Sequence, residues 1–205
     1  MRGTAALATV MASLLLFFSS MPIGQAQLGL DLGGPKVSRI QFYLHDLLVA
    51  EKPTAVPVSE AKTTRDSPSR FGEVVVIDDP LTKGPELTSK VVGQAQGLYH
   101  FTSQSEITLF ESHAIVFTGG KFNGSSLNVV GRNPLLHTVR ELSIVGGTGV
   151  FRLARGYVLK STHSIDPATL NGIEFCNVLV GFFATILDRV YFLFGSLWVY
   201  NSQSY

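Results

Sequence analysis

Residues 91–102 read VVGQAQGLYHFT, and this segment gives the first indication of the fold. Successive side chains of a β-strand point to opposite faces, so Gly93, Ala95 and Gly97 share one face with Tyr99 and Phe101. Small residues along one face allow another backbone to approach closely, or the sheet to curve strongly. The segment therefore predicts a strand in a curved β-sheet.

Seven further segments have the composition of β-strands: residues 37–49, 71–77, 107–118, 122–130, 139–145, 151–161 and 173–180. Asp78-Asp79-Pro80 is predicted to be a turn that ends the segment 71–77, and residues 52–70 and 81–86 are predicted to be loops. Eight strands without an amphipathic helix indicate an all-β domain, either an antiparallel sandwich or a barrel.

Both ends of the chain differ from this pattern. Arg2, the uncharged run of residues 5–18 and the small residues Gly24 and Ala26 predict a signal peptide over residues 1–26, and hence secretion. A membrane anchor is the alternative, although the run is shorter than the roughly 20 residues that span a bilayer. Residues 27–35 are predicted to be a flexible leader, and residues 182–205 an atypical apolar C-terminal extension.

The composition of the chain limits which kinds of molecule the protein is expected to bind and which covalent links it is expected to carry. The 205 residues carry a net charge of +1 and no cluster of basic and aromatic residues, which argues against nucleic-acid binding. Cys176 is the single cysteine, so no internal disulfide is predicted. Asn123-Gly124-Ser125 is an N-glycosylation acceptor and also a tight-turn sequence, and both interpretations place Asn123 on a surface loop.

Motifs for metal, phosphate or nucleophilic chemistry are missing from the sequence. The five histidines are scattered, and there is no Cys-x-x-Cys pair, so no metal site is predicted. Residues 146–149 are rich in glycine but lack the Lys-Ser/Thr of a phosphate loop, and they predict a hairpin. The sequence contains no Gly-x-Ser-x-Gly motif. No cofactor is predicted.

The pair His45-Asp46 interrupts an apolar strand, so one of the two side chains is expected to enter the interior. An Asp in an apolar cavity has a raised pKa and can act as a proton donor. The alternative is structural: Asp46 pairs with a buried Arg or caps backbone donors. Arg140 is a possible partner of Asp46, a substrate clamp, or a solvated side chain.

Several blocks in series resemble the dirigent family of plants. They are YLHD at 43–46, GQAQG at 93–97, FNGSSL at 122–127, GRN at 131–133 and RELSIVGGTGVFRLARGY at 140–157. The resemblance implies an eight-stranded antiparallel β-barrel over residues 36–181. It also implies secretion to the apoplast or cell wall, and assembly into dimers or trimers.

In this family the implied ligands are phenoxy radicals, made from a monolignol such as coniferyl alcohol by a separate laccase or peroxidase. Uncatalysed coupling is fast but unselective, so the protein need only orient the radicals. A bias of roughly 1.4 kcal/mol between two approach geometries gives about tenfold selectivity. No redox group is required for this role.

Site residues are carried over by motif. Asp46 is the implied general acid for a quinone methide, and Arg140 and Thr162 are implied to line the pocket. Tyr43, Asn133, Thr162 and Phe151 are expected to contact the substrate. A second acidic residue of lignan-forming members falls on Asn133, which cannot donate a carboxyl proton.

Three functions follow from these residues. One is stereoselective coupling of monolignol radicals in lignan formation. The Gly-Arg-Asn motif resembles another branch, which includes pterocarpan synthases that dehydrate and cyclise an isoflavanol. The third is a non-catalytic binding or scaffold protein of the cell wall, whose interior would be filled by bulky side chains.

Overall fold

The computed structural model describes residues 36–182, and these form nine β-strands and two short 3-10 turns. The strands are β1 Lys36–Asp46, β2 Ala55–Ser59, β3 Val74–Thr82, β4 Val91–Phe101, β5 Thr108–Phe117, β6 Ser126–Pro134, β7 Arg140–Thr148, β8 Arg155–Ile165 and β9 Gly172–Phe182. The turns are Gly120–Phe122, before β6, and Gly149–Phe151, before β8. Within the described residues, no helix is long and apolar enough to cross a membrane.

Eight of the strands form a closed antiparallel barrel. The order is β1-β9-β8-β7-β6-β5-β4-β3, and β3 pairs again with β1 to close the ring. The closing seam, defined here as the β1–β3 contact, has the register Tyr43↔Thr82 and Leu44↔Leu81. The prediction of an all-β, eight-stranded barrel is confirmed.

The prediction of a turn at Asp78-Asp79-Pro80 is wrong, because β3 runs through these residues to Thr82. Pro80 has no N–H, and a strand tolerates it only where that donor is not needed. The Asp78 N–H bonds to the Thr54 carbonyl, so the backbone nitrogen two residues along faces the same side. On that side, β3 has stopped pairing with β2 and has not yet begun to pair with β1 when it reaches Pro80. The missing N–H of Pro80 therefore costs no hydrogen bond of the sheet.

The predicted loop of residues 52–70 contains the short strand β2, which sequence analysis missed. It pairs with β3 outside the ring of eight, with Ala55 opposite Ile77. Its proline, Pro57, is compatible with a strand at the edge of a sheet. Strands β6 and β8 also begin later than predicted, because residues 120–122 and 149–151 form the two 3-10 turns.

Inward-facing side chains alternate along each strand and form one core. In β1, Phe42 and Leu44 are buried, and in β9 so are Cys176, Val178 and Val180. The closing strand β9 pairs with β1 without a break over its whole length, and the register shift lies in its contact with β8 at His163. Strand β9, with Cys176 buried within it, therefore closes the ring against β1.

The small residues of β4 face the core where the barrel curves. A Cβ added to Gly93 would lie 2.3 Å from the carbonyl oxygen of Val116 in β5, and Ala95 is fully buried. The predicted close approach of another backbone is confirmed. The predicted signal peptide, leader and C-terminal extension lie outside the described residues, except for Phe182, which ends β9.

Gly93→Ala is expected to lower the free energy of unfolding by about 1–3 kcal/mol, because the new methyl group must displace the β5 backbone. Gly119→Ala is the matched control, since its Cβ would meet no described atom within 4 Å and its φ is an ordinary −161°. Urea unfolding measures both variants. Equal stability of Gly93→Ala and wild type would contradict the close approach.

Candidate functional site

A cavity of about 480 Å³ opens at the end of the barrel where β1 ends and β9 begins. Its walls are mostly apolar, with Leu44, Ile77, Phe101, Ile107, Leu109 and Leu135 among the lining residues. Its polar lining includes two groups, defined here as the carboxyl corner (Asp46, Asp79 and Tyr99) and the charged wall (Glu111, Arg140, Lys160 and Glu174). An apolar cavity with a few converging polar groups has the character of a small-molecule site.

The carboxyl corner holds two Asp side chains in an apolar environment. Burial raises the pKa of Asp46 to about 6, against the opposing effect of a hydrogen bond from the Tyr99 hydroxyl. Burial also raises the pKa of Asp79, to about 9, and the neighbouring Asp46 adds to that rise. Thr54 donates a 2.7 Å hydrogen bond to Oδ1 of Asp79. The corner can therefore hold a carboxylic acid at neutral pH.

Arg140 is held in the charged wall by four partners. Its guanidinium donates to Oδ1 of Asn133 (2.8 Å), Oγ1 of Thr162 (3.0 Å), Oε1 of Glu174 (2.5 Å) and the His137 carbonyl (3.2 Å). Its side chain is fully buried. With its orientation set by the protein, Arg140 can present a fixed positive charge to a bound oxygen.

Lys160 completes the charged wall by linking two glutamates. Its Nζ lies 2.8 Å and 3.0 Å from the oxygens of Glu111 and also contacts Glu174. Burial alone would lower the pKa of Lys160, but the two carboxylates outweigh it and raise this pKa. Burial would conversely raise the pKa of Glu111, but Lys160 and His113 outweigh it and lower that pKa. Two cations and two anions thus compensate one another.

The sequence model of the dirigent-like protein family matches residues 37–180, which is most of this barrel. The chain belongs to the dirigent family. Dirigent protein 1 of Arabidopsis thaliana is 48% identical over 130 residues, covering 63% of this chain and 71% of that protein. Pterocarpan synthase 1 of Glycyrrhiza echinata is 46% identical over 132 residues, covering 64% of this chain and 70% of that protein.

A solved dirigent structure has the same fold. The pterocarpan synthase dirigent protein GePTS1 is 41% identical, with a TM-score of 0.70, and the match covers 74% of this chain and 87% of that one. The family and its barrel are thereby established for this chain.

Three of the residues carried over by motif meet at the dirigent cavity: Asp46, Arg140 and Thr162. As expected from strand alternation, the side chains of His45 and Asp46 lie on opposite faces, and His45 bonds to Thr82 on the outside of the seam, at 2.6 Å. Asn133 is buried behind the wall, where it accepts a hydrogen bond from Arg140 and donates one to Glu111.

Like Asn133, the predicted substrate contacts Tyr43 and Phe151 do not line this cavity. Tyr43 lies on the outer face of β1, where its ring packs against His163 and Phe175. Phe151 lies in a 3-10 turn and packs against Phe117, Phe122 and Phe182. Because Phe182 ends β9 and the cavity opens where β9 begins, this aromatic cluster fills the opposite end of the barrel. Asn123 is exposed after the first 3-10 turn, and its glycosylation stays a prediction.

The polar residues of the cavity that sequence reasoning missed include Asp79, Glu111, Lys160 and Glu174. Asp79 shares strand parity with the buried Val75, Ile77 and Leu81, and that alternation would have revealed it had the segment not been interpreted as a turn. The charged wall combines residues from four strands, and no local pattern indicates such a set. Among residues 36–182, no group of three or more His, Cys, Asp or Glu side chains is arranged to hold a metal ion.

Lys160→Met is expected to cost about 3–5 kcal/mol of unfolding free energy, because Glu111 stays buried without its cation. The double variant Glu111→Met/Lys160→Met removes both charges, and we expect it to be about 1–2 kcal/mol more stable than Lys160→Met. Denaturant unfolding of the single and double variants measures this coupling. A double variant no more stable than Lys160→Met would contradict a compensated buried pair.

Stability should fall as pH rises through the titration of the carboxyl corner. The folded protein keeps a proton on Asp79 up to a pKa of about 9, whereas an ordinary Asp loses it near 3.8. Between these pH values the folded state binds more protons, so the group lowers stability by up to about 1.4 kcal/mol per pH unit.

Asp79→Asn should therefore flatten the dependence of unfolding free energy on pH between 5 and 8.5. The matched control is Asp78→Asn, which changes the exposed neighbour on the same strand. Parallel curves for Asp79→Asn and wild type, measured by urea unfolding, would rule out a proton held on Asp79.

Proposed function

We propose that this dirigent protein binds a phenolic, phenylpropanoid-derived substrate and directs the stereochemistry of its ring closure through a quinone methide, without oxidising it. The reaction proposed is a pterocarpan-synthase-like dehydration and cyclisation of an isoflavanol. One observation carries the proposal: two carboxyl groups with raised pKa values lie together in a cavity whose walls are mostly apolar.

Dehydration explains why raised pKa values would be useful here. Hydroxide is a poor leaving group, and a carboxylic acid that is still protonated near neutral pH can protonate the departing oxygen. An exposed Asp is ionised at that pH and has no proton to give. The apolar walls supply the low dielectric that keeps the acid neutral, as in other enzymes that use a carboxyl group as acid.

The opposite side of the cavity supports the same chemistry. When the second phenolic oxygen attacks the quinone methide and the ring becomes aromatic again, negative charge develops on the carbonyl oxygen of the quinone methide. The guanidinium of Arg140 is fixed by four hydrogen bonds and can stabilise such an oxygen without reorganising. A substrate held between Arg140 and the carboxyl corner would present one face to the closing ring, which is how one stereoisomer would be selected.

Stereoselective coupling of monolignol radicals is the second candidate. The apolar walls, including Leu44, Ile77 and Leu109, favour it because they can hold flat aromatic rings against each other. This version needs a laccase or peroxidase as a separate source of radicals. In both versions we propose that the protein acts outside the cell, in the apoplast or cell wall, and assembles as a dimer or trimer.

The non-catalytic scaffold alternative expects an interior filled by bulky side chains. The aromatic cluster of Phe117, Phe122, Phe151 and Phe182 fills one end of the barrel in that way. The other end contains the cavity of about 480 Å³ with its polar groups. This cavity favours a small-molecule function over a scaffold.

The proposed dehydration is tested by incubating an isoflavanol with the protein without any oxidase and separating the products by chiral chromatography. We expect one enantiomer of a cyclised product, and Asp46→Asn should lower the rate by roughly 100-fold or more. Asp78→Asn should retain the wild-type rate, since Asp78 lies on the outer face of β3.

A parallel incubation with coniferyl alcohol and a laccase separates the two candidates. An enantiomeric excess there, with no product from the isoflavanol, would replace dehydration by radical coupling. A racemic mixture there and no cyclised product in the first assay would overturn both.

A further inference from the structure

The closing seam places the two carboxyl groups of the corner opposite each other. Leu44 pairs with Leu81, and continuing the antiparallel register by two residues brings Asp46 to the position opposite Asp79. The two residues lie just beyond the last paired residues of the seam, on the same face as Leu44 and Leu81, and Asp46 is close enough to Asp79 for its charge to raise the pKa of Asp79. Both side chains line the cavity. The fold thus faces two acidic groups towards each other across the seam.

Thr54 hydrogen-bonds to residues of both strands just beyond the closing seam. Its backbone N–H and its hydroxyl bond to Leu47 at the end of β1, and the Asp78 N–H bonds to its carbonyl. The hydroxyl of Thr54 also donates to Oδ1 of Asp79. The residue therefore bridges the two strands and orients one carboxyl group of the pair.

Each carboxyl group keeps one oxygen without a hydrogen bond. Oδ1 of Asp46 and Oδ2 of Asp79 are buried and meet no donor in the described part of the chain. Leaving a buried polar atom unpaired costs about 1–3 kcal/mol, so such atoms are rare unless a ligand or a proton satisfies them. Two of them at one corner of a cavity indicate where a substrate hydroxyl group is received.

The surrounding charges do not neutralise a second carboxylate. The charged and titratable groups that face or surround the pair are Arg70 before β3, Tyr99 on β4, Glu111 on β5, His137 and Arg140 at the start of β7, Lys160 on β8 and Glu174 on β9. Lys160 and Arg140 are compensated by the two glutamates of the charged wall, and Arg70 by Glu73. With these cations already paired, two adjacent negative charges at the corner would be strongly unfavourable.

We propose that Asp46 and Asp79 share a single proton across the seam, and that Asp79 is a second catalytic carboxyl group which works with Asp46 as an acid–base pair. The role of the pair in catalysis rests on the dehydration proposed above. The sharing of the proton rests on the position of the two carboxyl groups at the seam, on their unpaired oxygens and on the surrounding cations, which already have partners.

The two carboxyl groups can supply and accept every proton that the dehydration and ring closure require, so no other reactant is needed. The protonated carboxyl group gives its proton to the departing hydroxyl group, the carbon–oxygen bond breaks, and water leaves. The phenol conjugated with the reacting carbon loses its proton as the quinone methide forms and regains one at the same oxygen as the ring closes, so the net proton accepted by the ionised partner is that of the phenolic hydroxyl group whose oxygen forms the new carbon–oxygen bond. One carboxyl group has lost a proton and the other has gained one, so transfer between them restores the starting state.

The shifts in the pKa values of Asp46 and Asp79 indicate which carboxyl group is the acid and which is the base. Asp79, with a pKa of about 9, holds the proton at neutral pH, while Asp46, at about 6, is the group that ionises first. The Tyr99 hydroxyl group donates to Asp46 and stabilises its ionised form. Asp79 is therefore the acid and Asp46 the base in the resting pair, which reverses the role expected for Asp46 from sequence.

The sharing of the proton is tested without turnover by NMR titration of the full chain labelled with ¹³C at the aspartate carboxyl carbons. We expect two coupled titrations in wild type, one near pH 6 and one near pH 9. Asp46→Asn removes the neighbouring negative charge and should lower the apparent pKa of Asp79 by about one pH unit or more, whereas Asp79→Asn should leave the pKa of Asp46 near 6, because Asp79 is already neutral when Asp46 ionises. Asp78→Asn should change neither. Two independent titrations near pH 4 in wild type, a measurement that needs no variant, would overturn the shared proton.

The catalytic role is tested by the pH–rate profile of isoflavanol cyclisation. Wild type should give a bell-shaped profile, and Asp79→Asn should lose its alkaline limb, with kcat reduced roughly 100-fold. Coupled titrations in a protein that turns over no isoflavanol would leave the shared proton standing and overturn the proposed function. Cyclisation at the wild-type rate by Asp79→Asn would leave the function standing and overturn the role of Asp79.

Discussion

The contact between β1 and β3 is the constraint on which the rest of the structure depends. Two opposed residue pairs, Tyr43 with Thr82 and Leu44 with Leu81, close a ring in which every other contact joins at least five residue pairs. Closure satisfies the backbone groups of two strands that would otherwise be sheet edges. It also ends early, because Thr54 bridges the strands beyond Leu44. The place where the ring stops pairing is the place where the carboxyl corner faces the cavity.

The two ends of the barrel interior differ in what fills them and in the interactions that they provide. One end is filled by aromatic rings and contributes burial of apolar surface. The other end keeps its space, and its polar groups fall into two kinds. The charges of the wall are compensated in place by buried ion pairs, which fix the orientation of Arg140. The carboxyl groups of the corner have no such cation, so their environment favours the protonated form. The mostly apolar walls of the cavity thus both form a binding surface and keep a carboxyl group protonated.

Strand alternation accounts for what could be predicted of this site. It correctly indicated that His45 and Asp46 have opposite orientations, and that small residues of β4 face the core. The errors arose where a local signal competed with the alternation. Asp78-Asp79-Pro80 has the composition of a turn, and it lies in a strand because Pro80 falls between two partner strands. Tyr43 was assigned to the pocket through its neighbours in the motif, although its parity directs it outward.

The sequence by itself determined the class of fold and the inward set of most strands, since both follow from the two-residue period of a β-strand. The motifs in series also indicated the dirigent family, along with Asp46, Arg140 and Thr162. Only the tertiary structure decided which distant groups meet. Arg140 and Glu174 are 34 residues apart, and Lys160 and Glu111 are 49 apart. Their contacts depend on strand order and register. The pairing of Asp46 with Asp79 likewise exists only because the ring closes at that register, which no local pattern of residues specifies.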